Sequence, residues 1–195
     1  FYSTNIETFK TSSGYPLQEN VWSLLSWDYY LVWDKYQAEF IQRSTGGNGK
    51  VIEVGPIWFS TSNKKLTIPV TGKFLAIFDV QPMRDLFYQI LGQSNGFNTP
   101  NTVNPFLSDI VEAANNHGIR ILFKRKRHIG SLVNKKYFKL VEKLSLNDDF
   151  ITIDPEIDAI RLIEHSEAVI SMAFTSTALL AKELGKPSIF YDPNG

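Results

Sequence analysis

The sequence contains no cysteine. A disulfide framework is therefore excluded, as is any metal site built on thiolates, and the composition fits a reducing compartment. Net charge is also missing. Twenty Lys and Arg residues balance 20 Asp and Glu, which argues against the broadly basic surface of a general nucleic-acid binder. No run approaches the roughly 20 consecutive apolar residues that span a bilayer, and no signal-peptide pattern opens the chain. Three ligand signatures are absent too. No G-x-G-x-x-G follows a first strand, which speaks against an NAD-binding domain, and no G-x-x-x-x-G-K-[ST] occurs, which excludes a P-loop nucleotidase. No D-x-D pair is available to hold a metal against a nucleotide-sugar diphosphate.

What is present is ample for a packed core: 195 residues, 43 % hydrophobic and 13 % aromatic, a composition far from that of disordered chains. The chain begins at Phe1 and ends on Asp192-Pro193-Asn194-Gly195, directly past an apparent strand. That pattern is expected of a segment from a longer protein.

The first 28 residues have little periodicity, with a short helix expected over 19–27. Strands are expected at 29–33 and 51–54, joined by a helix that Asp34 caps with Gln37 three residues later. Residues 56–72, rich in Ser, Thr, Asn, Lys and Pro, read as an interdomain linker between an end-of-domain segment 1–55 and a second domain 73–195. Strands then alternate with helices. Strands are expected at 73–78, 119–123, 150–153, 169–172 and 188–191, the last of them buried. A short helix is expected over 83–91. Longer ones are expected from an Asn104-Pro105 start, over 137–144, from an Asp154-Pro155 start, and from the hydroxyl cluster Thr175-Ser176-Thr177 to Gly185. Such alternation specifies an α/β fold, a Rossmann-like doubly wound parallel sheet of strand order 3-2-1-4-5. Ligands in these sheets sit beyond the carboxyl ends of the strands at the switch point. Those ends are Asp79 and its loop, the run Lys124-Arg125-Lys126-Arg127-His128, Asp154, and the hydroxyl turn.

Eight of the 20 basic side chains lie between Lys124 and Lys143. Lys135, Lys136, Lys139 and Lys143 read as a solvated helix face, whereas the first four directly follow a strand. A cationic loop beside a helix start rich in Ser and Thr suits a phosphate or a diphosphate ester. His117 and His165 are placed to cap helix C-termini, and His128 is placed to contact phosphate. Asp148-Asp149 reads as a solvated turn. A receiver-type phosphoacceptor site is rejected, because Lys186 precedes the last strand instead of following it and the first-strand acid is single.

Two stretches carry a resemblance: residues 31–37 with 51–57, and Ser171-Met172-Ala173-Phe174-Thr175-Ser176-Thr177 through Gly185-Lys186-Pro187-Ser188. They resemble bacterial glycosyltransferases of the GT-B type, and the second closely resembles the motif of the polysaccharide biosynthesis PFTS motif proteins, with Ala173 where that motif has proline. The resemblance implies that residues 73–195 are the donor-binding half of a GT-B fold and that residues 1–55 are the edge of an acceptor-side α/β domain. It implies a lipopolysaccharide or capsule glycosyltransferase that uses a nucleotide sugar without metal or other cofactor. Its partners would be that donor and a glycan or lipid-linked glycan acceptor, with no nucleic acid. It would be cytoplasmic, with the full-length protein associated peripherally with the inner face of the membrane. Thr175, Ser176, Thr177, Lys124, Arg125, Lys126 and Arg127 would bind donor phosphate, with His128 and Asp154 secondary. Alternation along the basic run would let two of its four cations reach the ligand. Leu180 stands where many UDP-sugar enzymes have a ribose-binding glutamate, which tilts the expectation toward a CMP-linked donor. The general base is expected in the N-terminal domain; Asp79 is the one acid here that is placed for catalysis, or else a loop-fixing hydrogen-bond acceptor. Two other readings share the architecture, a nucleotide-sugar epimerase and a non-catalytic nucleotide-binding module of an assembly complex.

Overall fold

The computed structural model describes residues 24–55, 66, 67, 72–90, 98–126, 128, 130–173 and 175–194. The chain divides into two compact units, residues 1–60 and 61–195. Most of the expected 19–27 helix and of the 56–72 linker lies outside the described residues; residues 24–27 carry no helix.

In the first unit, β1 (Tyr29–Val32) and β2 (Lys50–Glu53) pair in parallel and are joined by α1 (Lys35–Ser44). Asp34 caps α1 by accepting from the Gln37 N–H at 2.8 Å. The Gln37 side chain returns the favour one residue early, accepting from the Trp33 N–H at 2.8 Å. Tyr30, Val32, Ala38, Phe40 and Ile41 form the small core between strands and helix. The loop into β2 needs Gly49. Its φ is +86°, and a Cβ there would lie 2.4 Å from the Trp27 carbonyl oxygen and 2.6 Å from the Tyr30 ring.

The second unit is built on five parallel strands: β3 (Phe74–Phe78), β4 (Arg120–Lys124), β5 (Phe150–Ile153), β6 (Ala168–Met172) and β7 (Ser188–Tyr191). Their spatial order is β5-β4-β3-β6-β7, which is the expected 3-2-1-4-5 arrangement. The connections carry α2 (Asp85–Ile90), α3 (Pro100–Asn116), α4 (Lys135–Leu144), α5 (Ala159–Glu164) and α6 (Ser176–Glu183). β3 is nearly all apolar and buried, as a central strand covered on both faces must be. Val103, Phe106, Leu107 and Ile110 of α3 and Tyr137 and Val141 of α4 pack with Ile77, Ile121, Phe123, Phe150 and Met172 of the sheet. This is the α/β doubly wound architecture that the βα alternation predicts.

Three local expectations are corrected. α3 starts five residues earlier than its Asn104-Pro105 signal, with Thr99 at the N-cap and Pro100 in the first turn. Thr99-Pro100 is an equally good start, and it lets the apolar stripe run from Val103 onward, so Pro105 sits inside the helix. α5 is capped by Asp158, whose carboxylate accepts from the Ile160 N–H at 3.0 Å. Asp154 is spent on a turn, accepting from the Glu156 N–H at 2.9 Å while its carbonyl takes the Ile157 N–H. Finally, β7 is not a buried strand. It is the sheet's edge, with Ile189 56 % and Phe190 44 % exposed. Asp149 is exposed, as expected of a solvated turn, and also pairs with Arg120 at 3.0 Å.

Candidate functional site

The hydroxyl turn follows β6. Thr175 takes the extended N-cap conformation of α6, yet its side chain makes no capping bond. Its hydroxyl donates instead to the Met172 carbonyl at 2.8 Å. Thr177 Oγ1 lies 2.8 Å from the hydroxyl of fully buried Ser171 and 3.3 Å from Thr175 Oγ1. The half-buried Ser176 hydroxyl is left: it bonds to no other described residue. The first N–H groups of a helix have no intrahelical acceptors, and the Thr175 side chain does not cap them here. Together with the Ser176 hydroxyl they form a donor cluster with the positive end of the helix dipole behind it.

The basic run follows β4, and its members part company. Lys124 is half-buried, and its ammonium donates to the Pro155 carbonyl at 2.9 Å and to the Arg125 carbonyl at 3.5 Å. Burial lowers its pKa, against the pull of the Asp158 and Asp154 carboxylates. Lys124 thus braces the end of β4 against the loop after β5. Arg125 is half-buried, and its Nε is buried with no hydrogen-bond partner among the described residues. Lys126 is exposed. Arg127, like Phe174 of the hydroxyl turn, lies outside the described residues. His128 is exposed, with Nε2 3.8 Å from the Asp154 carboxylate. His117 and His165 turn Nδ1 to the Ala113 and Arg161 carbonyls, each at 2.8 Å, and so cap helix C-termini as expected.

Asp79 ends β3 inside the protein, 5 % exposed. Its Oδ2 accepts the Tyr137 hydroxyl proton at 2.5 Å, and its Oδ1 has no partner among the described residues. Burial pushes its pKa up to about 6; the Tyr137 hydroxyl, the Gln81 main chain, Arg125 and Lys126 pull the other way. Burial, with the Asp79 charge and hydrogen bond, raises the Tyr137 pKa in turn. Gln81, also buried, has a φ of +47°. Left-handed backbone in a non-glycine residue is uncommon, and it clusters where a chain is bent for a purpose.

A family model for polysaccharide biosynthesis PFTS motif proteins matches residues 1–195. The chain belongs to that family. No curated protein and no solved structure matches it. Involvement in polysaccharide biosynthesis follows from the membership, which extends to the whole chain the likeness first carried by residues 171–188.

In this PFTS motif protein the motif's hydroxyls are not equivalent: those of Thr175 and Thr177 bond within the turn, and that of Ser176 bonds to no other described residue. Sequence patterns also hid Tyr137, Gln81 and Ser171. Tyr137 occupies a helix position where any apolar residue would satisfy the stripe, and only its hydroxyl, the one polar atom on that buried side chain, marks it. A second feature of the unit is a cavity of about 600 Å³ where the starts of α3 and α4 come together. It is lined by Arg84, Lys135 and Lys136 with Asp85 as the opposing charge; the two lysines are exposed, as the reading of a solvated helix face expects. Arg125 and the hydroxyl turn do not line it. Among the described residues no cluster of three or more acidic or histidine side chains could hold a metal ion, and no helix is long and apolar enough to cross a membrane.

Proposed function

We propose that this protein is a glycosyltransferase of surface-polysaccharide assembly and that its 61–195 unit holds the phosphate of a nucleotide-sugar donor. One observation carries the reading: the N-cap residue of α6 makes no side-chain capping bond and the Ser176 hydroxyl bonds to no other described residue, in a sheet whose β4 end supplies Arg125 and Lys126. In the proposal Ser176 and the first N–H groups of α6 bind phosphate oxygens, and Arg125 and Lys126 supply the charge. In the transition state those groups stabilise the leaving nucleotide as negative charge develops on it. Thr175 and Thr177 hold the turn's shape, Lys124 holds the loop, and Arg127 belongs to the same run. His128 and Asp154 sit at its margin. The acceptor would be a glycan or lipid-linked glycan met at the inner face of the cytoplasmic membrane, and the reaction is proposed to need neither metal nor cofactor.

The test is thermal stabilisation of the full-length protein by CMP, UDP, GDP and CDP, with and without EDTA. One nucleotide should raise the melting temperature, EDTA should leave that shift intact, and Arg125→Ala should abolish it. Stabilisation by none of the four would overturn the reading. Incubating the matching nucleotide sugar without acceptor separates the alternatives. Rapid epimerisation points to an epimerase; binding with no turnover, even when glycan acceptors are supplied, points to a non-catalytic module.

A further inference from the structure

Asp79 and Arg125 are neighbours by register. β3 and β4 run parallel with Phe78 opposite Lys124, and Asp79 and Arg125 are the residues that directly follow them. Adjacent strands lie roughly 4.8 Å apart, and both residues carry a buried polar atom without a partner among the described residues: Asp79 Oδ1 and Arg125 Nε. They form no ion pair with each other, although Arg125 acts electrostatically on both Asp79 and Tyr137. An incompletely paired carboxylate at 5 % exposure is an expensive group to bury. It is kept there by Tyr137 from α4 on one side and by the bend at Gln81 on the other. The carboxylate is too enclosed for an acceptor hydroxyl to reach, which leaves it to act through Arg125.

We infer that Asp79 and Tyr137 are positioning residues for Arg125, and that a donor phosphate arriving at Arg125 drives a solvent proton onto Asp79 Oδ1. This rests on the donor-site reading above. The step balances simply. Arg125 transfers its electrostatic partnership from the carboxylate to the phosphate, an O–H bond forms at Oδ1, the proton comes from water or buffer, and Tyr137 keeps its hydrogen bond to Oδ2. The charged and titratable groups that face Asp79 are Tyr137 from α4 and Arg125 and Lys126 from the end of β4, with the Gln81 main chain beside it. A phosphate neutralises both cations and adds like charge, and each effect raises the carboxyl's pKa. That pKa already stands at about 6, so a modest further rise carries it through neutrality. Bound donor therefore takes up a proton near pH 7. Well below pH 6 Asp79 is protonated before the donor arrives, and nothing is taken up. Affinity falls as pH rises through this window.

The experiment is isothermal titration of the full-length protein with UDP-glucose, GDP-mannose and CMP-N-acetylneuraminate, whose esterified phosphates do not titrate near neutrality. Each is run at pH 7 in two buffers of different protonation enthalpy, and then across pH 6 to 8. Wild type should take up roughly 0.4 proton at pH 7 and should bind roughly fivefold more tightly at pH 6 than at pH 8, the change expected for about one unit of pKa shift from a starting value of about 6. Asp79→Asn should abolish the uptake and flatten the pH profile. Tyr137→Phe removes a hydrogen bond that holds the Asp79 pKa down, so its uptake should move to higher pH. A purely structural role would weaken binding without altering either readout. Binding by wild type without proton uptake, or uptake that persists in Asp79→Asn, overturns this inference and leaves the donor site standing. Absence of binding by all three nucleotide sugars overturns both. The wild-type pH profile and Tyr137→Phe decide the matter even where Asp79→Asn fails to fold.

Discussion

Ser176 and Thr177 are adjacent hydroxyls with different duties. Ser176→Ala removes a donor that bonds to no other described residue, so it should leave the melting temperature unchanged and weaken nucleotide binding roughly tenfold, the size of one hydrogen bond to a charged group. Thr177→Ala also breaks the bond to buried Ser171 and should lower stability by about 1 kcal/mol. Titration calorimetry and chemical denaturation on the two variants separate these effects. Asp79 contributes a pH dependence of the opposite sign from most carboxylates. Its folded-state pKa, about 6, lies above the ordinary 3.8, so the folded protein binds more protons between those values and stability falls as pH rises through them. The whole span is worth about 3 kcal/mol. Urea midpoints of wild type and Asp79→Asn at pH 4 and pH 7 should therefore diverge in favour of the variant at pH 7, the asparagine still accepting from Tyr137.

Helix starts are where local signals compete most closely in this chain. α4 begins at Asn134, whose side chain accepts from the Lys136 N–H at 3.0 Å and donates toward Asp85. Asn134→Ala should cost about 1 kcal/mol of stability, and because Tyr137 is the third residue of that helix it should also weaken the nucleotide response in the thermal-shift panel. The starts of α3 and α5 show why local signals mislead. Asn104-Pro105 and Asp154-Pro155 are good cap signals, but Thr99 and Asp158 are competing ones nearby. Packing of the apolar stripe against the sheet selects between them. Capping contributes about 1 kcal/mol, and burial of several large side chains contributes much more.

The second unit closes its hydrogen-bonded sheet and its principal core within residues 74–191. We propose the domain division 1–55, 56–72 and 73–195 on that basis and on composition. A fragment of residues 73–195 should then unfold cooperatively by itself when followed by far-ultraviolet circular dichroism; a non-cooperative melt would count against an independent domain. Strand identity, sheet order and the position of the hydroxyl turn were legible because they depend on local periodicity and on connection rules that few topologies satisfy. The sequence alone thus determined an α/β sheet with a hydroxyl-rich turn after its fourth strand. Only the tertiary structure decided which atoms are available. Lys124 is consumed by the Pro155 carbonyl, Thr177 by Ser171, and Tyr137 reaches Asp79 across 58 residues of chain. Those pairings depend on how segments from different strands meet at the carboxyl ends of the sheet, and no local pattern of residues encodes that meeting.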